Sequence, residues 1–426
     1  MRPNVRYWWA AAAAVSVAVL TAPSGTAAER PTKGWDTPVL VSGTQAHRET
    51  SLAINPRNPS QMLICDPSGV PAVEDGQSYF HLSTDGGRKW RAIDVEPSST
   101  DTRNAAFEGG DCDVAFDAGG TMYTADTWVG NLSVGSSRNN GESWEGSLVS
   151  VTAPVVDRPW LVGGPPGTVY LTYHDLQCCT PSAMWFTKST DYGRTFSPAV
   201  PITTANAAGP YTWEGNFVVS PSGKDLYLVY SRRMSAGVNH PAIPKYAEEI
   251  SLAASHDGGA SWTTLPIADI PRETSSIYPS IGMDAAGWLH VAWAAPRDKD
   301  NPVFYTMSKD KGAHWTAPKP LNAGHTGQAP WVAGGRAGEA AIVWLGSPAG
   351  QVDAESGWYF YWARVTNGRV TSGTTTRTPM WEGAQTLPEF EMVRLDRQGR
   401  MHIGMSVFVA KNRWGVYYQR ETSTRH

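Results

Sequence analysis

Charge is what this chain of 426 residues has least of: lysine and arginine number 35 and aspartate and glutamate 39, together 17%, where soluble domains average about 25%. Nor is there a basic excess, the formal net charge being −4, so no positive field draws phosphate backbones and nucleic acid is excluded as a partner. The metal signatures are missing too: there is no His-Glu-x-x-His, no spaced Cys/His set and no acidic calcium loop, and neither a metal nor a cofactor is expected. A Gly-x-Ser-x-Gly nucleophile elbow is also lacking. Long apolar runs are confined to one, Tyr7 to Leu20, preceded by Arg2 and Arg6 and followed by the small residues Gly25-Thr26-Ala27-Ala28. That run is shorter than the roughly 20 residues of a spanning helix and has the order of a secretory signal. The reading is a signal peptide over 1–28 and a secreted single domain over 29–426, with no membrane partner once the signal is cleaved. Cysteine is limited to Cys65, Cys112, Cys178 and Cys179, which allow three pairings in an oxidising compartment.

What the chain has in plenty is strand and turn material: 19 Trp, 16 Tyr and 10 Phe stand beside 42 Gly and 31 Pro, and together they favour an all-β fold. An octapeptide recurs five times, as Ser83 to Trp90 (STDGGRKW), Ser137 to Trp144 (SRNNGESW), Ser189 to Phe196 (STDYGRTF), Ser255 to Trp262 (SHDGGASW) and Ser308 to Trp315 (SKDKGAHW). Its chemistry is that of a hairpin: the Asp (Asn139 in the second copy) accepts backbone N–H bonds, the Gly supplies positive φ, and the aromatic folds over a neighbouring strand. A second pattern, an apolar strand, a polar turn and another apolar strand, starts at Leu52, Val114, Leu161, Val218, Ile281, Val332 and Val393. Repeats of this length are propeller blades. Seven four-stranded antiparallel blades are expected, with six as the alternative count. The seventh unit has three strands, so the segment Thr37 to Val41 is expected to supply its fourth and close the ring.

The Ser-x-Asp-x-Gly-x-x-Trp box resembles the Asp-box, or bacterial neuraminidase repeat, of the sialidase superfamily, over nearly the whole mature chain from about Trp35 to Arg420. The resemblance implies a β-propeller whose boxes are structural, lying between the third and fourth strands on the face opposite the active site. It implies activity only broadly, since proteins with the box include sialidases, other glycosidases, polysaccharide lyases and non-catalytic propellers.

Inner-strand starts and second-to-third-strand loops should share the opposite rim of the channel. The starts bring Arg48 and Glu49, Asp111 and Asp113, Asp157, Arg158 and Trp160, Trp213, Glu214 and Asn216, Tyr278, Gln328 and Trp331, then Glu389 and Glu391; the loops add His174, Asp175, Arg232 and Arg297. Carboxylates for acid and base work, arginines for an acidic substrate and aromatic planes are what a sugar site needs. A sialidase site uses three arginines on the substrate carboxylate, a tyrosine nucleophile with a glutamate partner, and an aspartate acid. Rim position assigns Tyr278 as nucleophile, Glu214 as its partner, Asp175 or Asp111 as acid, Arg48, Arg158, Arg232 and Arg297 as carboxylate ligands, and Trp160, Trp213 and Trp331 as sugar platforms. The Phe/Tyr-Arg-Ile-Pro motif of typical sialidases is absent, the nearest match being Asp157-Arg158-Pro159-Trp160, and seven units differ from the usual six. Each residue also has a structural reading: an ion pair for Arg158, a strand-start aromatic for Tyr278, a contact between blades for Glu214.

The function expected is a secreted monomer performing sialidase-like exo-glycoside hydrolysis on a glycan. The rivals are a lyase or glycosidase acting on uronate-containing glycans, with His174 or Tyr278 as base, and a non-catalytic propeller that binds a glycan or protein. Cys65 and Cys112 should reach one rim on adjacent blades and form a bridge. Cys178 and Cys179 stand together as a vicinal disulfide, or one of them pairs with Cys112.

Overall fold

Each octapeptide box closes on itself before it packs on anything else. In the fourth copy the Ser255 hydroxyl donates to Asp257 at 2.8 Å and accepts the Gly259 amide at 2.9 Å, while Asp257 accepts the Ser261 amide at 2.9 Å. The same pattern holds Gly87 on Ser83, Gly141 on Ser137, Gly193 on Ser189 and Gly312 on Ser308. In all five copies this glycine has positive φ, a conformation that costs a residue with a Cβ about 1 kcal/mol or more. The box aromatic then lies on the preceding unit: Trp262 meets Phe186 at 5.6 Å and Trp90 meets Tyr418 at 5.4 Å. The box is thus a turn and a clamp between neighbouring sheets.

The computed structural model describes residues 30–45, 49–66, 80–95, 110–128, 131–149, 156–175, 183–203, 211–233, 249–270, 278–295, 302–322, 325–348, 356–383, 388–410 and 413–422. The signal-like segment, Arg48, Arg297, Cys178 and Cys179 lie outside them, and with them the vicinal pairing. Every regular element among the described residues is a strand, and the sheets resolve into seven antiparallel units of four strands, the sixth carrying a short fifth strand, Trp381–Glu382. Their first strands, counted as units one to seven, are Glu49–Ile54, Cys112–Phe116, Val156–Gly163, Tyr211–Val219, Ser280–Met283, Thr326–Gly334 and Phe390–Leu395. Each touches the next and the last touches the first, which makes them the inner wall of a ring. Val39–Gln45 pairs antiparallel with Arg413–Arg420 as the outer strand of unit seven, so chain start and chain end close the ring within one sheet. Arg420 and Asp36 reinforce that seam at 2.7 Å. Unit six has no box; its outer hairpin turns at Asn367-Gly368, both with positive φ, the pair a type I′ turn prefers.

Hydrophobic burial sits between sheets. One cluster joins Leu63, Phe80 and Leu82 of unit one to Val114, Met122 and Trp144 of unit two, and another joins Val229 and Leu252 of unit four to Ile281 and Val291 of unit five. Free inner edges are satisfied by side chains reaching to the next unit. Asp113 accepts the Leu161 amide at 2.6 Å, Asn216 the Ile281 amide at 2.8 Å, and Ser280 the Val332 amide at 3.0 Å. Cys65 and Cys112 form a disulfide between units one and two, with Cα atoms 6.4 Å apart.

Candidate functional site

The boxes bond to the turns between first and second strands, as Gly86 does to Ser60 and Gly258 to Lys224, so both lie on one face and the inner strands begin on the other. At that second face three local features steer side chains inward. Two parallel pairings, Glu49 with Phe390 and Thr50 with Glu391, zip units one and seven together at their tops. In unit three the register slips between Asp157 and Trp160, and Arg158 takes φ 55° immediately before Pro159. Unit six repeats this at Ala329, φ 49°, before Pro330. A residue before proline is normally held in the extended region, so Arg158 stores backbone strain that its contacts must hold.

Those contacts gather five units around one guanidinium. Arg158 Nη1 is 3.2 Å from Glu49 of unit one, and Nε is 3.9 Å from both Asp111 of unit two and its neighbour Asp157. Nη2 binds Glu389 of unit seven and donates to the Tyr278 hydroxyl of unit five at 2.7 Å. The Tyr278 hydroxyl in turn donates to Glu389 at 2.9 Å, and the guanidinium lies 4.5 Å from the Tyr278 ring centre. Below, Trp160 and Trp331, the residues that follow the two bulges, meet at 5.3 Å.

Burial splits the carboxyl groups into two protonation classes. Burial would raise Asp111, but the Arg158 guanidinium and hydrogen bonds from Asp157 and Glu49 hold it well below the usual carboxylate range. Glu389 is also lowered, the push of burial being outweighed by Arg158, Tyr278 and Glu49. Asp157 is pushed well above its ordinary value by burial and by the charge of Asp111, and Glu49 by burial against the pull of Arg158. Around one arginine two carboxyls are thus shifted down and two up, the kind of separation that acid and base chemistry uses. Tyr278 is raised by burial and by its carboxylate neighbours against Arg158, and keeps its proton at rest. Among the described residues no group of three or more His, Cys, Asp or Glu side chains is set to hold a metal.

Of the residues assigned from sequence, Tyr278, Arg158 and Asp111 come together. Three roles change. The carboxylate on the Tyr278 hydroxyl is Glu389, whereas Glu214 sits beside Thr172, Asp157 and Arg158 and is pushed well up by burial. Asp111 is shifted down beside Arg158, and its neighbour Asp157 is shifted up by burial and by the charge of Asp111. Arg158 is engaged by the protein's own carboxylates, and Arg232 is held by Glu249 of the same unit at 2.9 Å. Asp175 is buried at the end of the second strand of unit three. Its neighbour His174 is driven down to about 4 by burial and by Arg158. Trp160 and Trp331 are buried below the cluster; Trp213 lies on the inner strand of unit four, its side chain outside the description. Glu389, Glu49 and Asp157 are the residues the assignment lacked, and all three carried the signal available, an acidic residue at an inner-strand start.

Residues 157–329 match a family model described as a BNR repeat-like domain. No curated protein matches the chain. Among solved structures, a PL25 polysaccharide lyase, an ulvan lyase, superposes with a TM-score of 0.56 at 13% identity, covering 89% of this chain and 95% of its own. The same lyase bound to -[GlcA(1-4)Rha3S]- gives 0.55 at 13%, over 90% and 95%. A protein of unknown function from Dyadobacter fermentans gives 0.52 at 12%, over 91% and 99%. At such identities the likeness is one of fold: the chain is a β-propeller, and residues 157–329 are similar to the BNR repeat-like domain.

Proposed function

We propose that the chain is a secreted carbohydrate-active enzyme that cleaves a glycosidic bond at the channel rim, by exo-hydrolysis with a tyrosine nucleophile as in a sialidase. The observation that carries the reading is the Tyr278–Glu389 hydrogen bond above Arg158. A neutral phenol is a weak nucleophile and is activated by an adjacent base. As the Tyr278 oxygen attacks the anomeric carbon, its proton passes to Glu389, and the leaving oxygen takes a proton from Asp157. Water then releases the sugar from Tyr278, with Asp157 now acting as base. Arg158 orients Tyr278 and Glu389 and steadies the charge that shifts between them. It is a positioning residue, and any grip on a substrate carboxylate falls to other cations, Arg48 and Arg297 being those the sequence offers.

A second reading is favoured by the 2.7 Å contact from Arg158 to the Tyr278 oxygen, which steadies the charge on that oxygen once Glu389 takes its proton. A phenolate serves equally as the base that removes the C5 proton of a uronate, and the ulvan lyase named above was solved with a uronate-containing chain. The test is turnover by the purified mature protein on a panel of aryl glycosides, beginning with an α-sialoside, and on uronate glycans, beside Tyr278→Phe. Release of the aryl group that the variant loses supports hydrolysis, and a new ultraviolet-absorbing double bond supports the lyase. Glycan binding without turnover, unchanged in the variant, would leave a non-catalytic propeller.

A further inference from the structure

On the reading proposed above, the reacting sugar meets Tyr278 through the groups that surround it, and these are unevenly exposed. The Arg158 side chain is 6% exposed, whereas that of Glu389 is 36% exposed and those of Asp111 and Asp157 are 20% exposed. Carboxyl oxygens thus face the open rim, and the guanidinium lies behind them. It is also engaged on every side: Nη1 faces Glu49, Nε faces Asp111 and Asp157, and Nη2 serves Glu389 and the Tyr278 hydroxyl. Four carboxyls surround one cation, and even with two of them protonated the balance is negative. Arg232, at the same rim, is held by Glu249.

Where a substrate carries its charge decides whether this surface accepts it. A sialoside has a carboxylate on the anomeric carbon itself, and a uronate has one on C5, the carbon a lyase deprotonates. In a near-attack geometry the reacting carbon stands about 3 to 3.5 Å from the attacking oxygen, and a carboxylate on that carbon lies one bond further. It would stand beside Glu389, which is 2.9 Å from the Tyr278 oxygen, and like charges brought together in a partly buried site repel. A neutral sugar meets no such opposition: its hydroxyls donate to the same oxygens, and hydrogen bonds to a carboxylate are among the strong ones. We infer that the site takes a neutral aldose glycoside, one whose reacting carbon bears hydrogen and no carboxylate, with a ring hydroxyl donating to Asp111. An acidic group carried further from the reacting carbon escapes the constraint.

The test sets the mature protein against aryl glycosides with one leaving group: neutral hexopyranosides and pentofuranosides of both anomeric configurations, and the α-sialoside. A neutral aldoside should be turned over with kcat/KM at least about 10²-fold above the sialoside, the scale that like-charge juxtaposition sets. Asp111→Asn should raise KM for the neutral aldoside and narrow that ratio, its melting transition showing that it folds; in a variant that does not fold, the wild-type ratio decides alone. An equal or higher kcat/KM on the sialoside, or a new double bond in a uronate glycan, overturns the inference and leaves the chemistry of Tyr278 standing. Turnover of a neutral aldoside that Tyr278→Phe retains does the reverse, removing the nucleophile and keeping the substrate class. An unchanged KM in a folded Asp111→Asn removes Asp111 from the binding role, and no turnover on any glycoside removes both the class and the reading it rests on.

Discussion

Glu389 shows how far a single position was legible. Its place at an inner-strand start was readable from the repeat, but its partnership with Tyr278 was not, because sequence order gives the angular order of the blades and says nothing of how far each side chain reaches across the axis. Units five and seven are not neighbours; they meet because Arg158, thrown inward by a left-handed residue at a bulge, holds both. Glu214 was the nearer choice in sequence and is the more deeply buried group. If Glu389 takes the proton from Tyr278, Glu389→Gln should lower kcat by about 10² to 10⁴, the usual worth of a positioned base. The pH profile should separate this from a structural role. Glu389 titrates below the ordinary range and Asp157 well above it, so activity should rise on the acid side with Glu389 ionising and fall on the alkaline side as Asp157 loses its proton. Glu389→Gln should abolish the acid limb while keeping the alkaline one.

At the scale of the element the sequence was most explicit, because a box closes its own turn through Ser and Asp hydrogen bonds that stay within eight residues. What locality hid was the other half of its work, contact with the preceding unit. A Cβ on Gly259 would stand 2.0 Å from the ring of Phe186, whereas one on Gly287, at nearly the same backbone angle, would meet nothing within 4 Å. Gly287→Ala should therefore cost only the backbone term, about 1 kcal/mol, and Gly259→Ala at least about 2 kcal/mol more, read from urea unfolding. Equal losses would reduce the box to a turn. The boxless hairpin of unit six was missed, although Asn367-Gly368 between two strand-like runs is itself a hairpin signal.

For the molecule as a whole, ring closure was legible because a unit lacking a strand and a strand lacking a unit stood at opposite ends of the chain. Deleting residues 35–43 removes most of the closing strand and should abolish cooperative thermal unfolding; an unchanged transition would contradict closure. The buried acids set the pH dependence of stability. Glu391 is raised well above its ordinary value by burial, as are Glu49 and Asp157. A group that holds its proton more tightly when folded contributes stability in full below its unfolded pKa and loses it as pH rises through the folded one. The melting temperature should accordingly fall as pH rises above the ordinary carboxylate range, and Glu391→Gln should flatten that slope.

The constellation of Arg158, Tyr278 and Glu389 exists only in the assembled ring, and its chemistry is the central claim. The most direct measurement is to incubate the protein with a fluorinated analogue of the glycoside it cleaves and locate the label by peptide mass spectrometry. The account predicts one sugar equivalent on the peptide containing Tyr278, absent in Tyr278→Phe. Turnover with no label on Tyr278, or with label on a carboxylate, would contradict it.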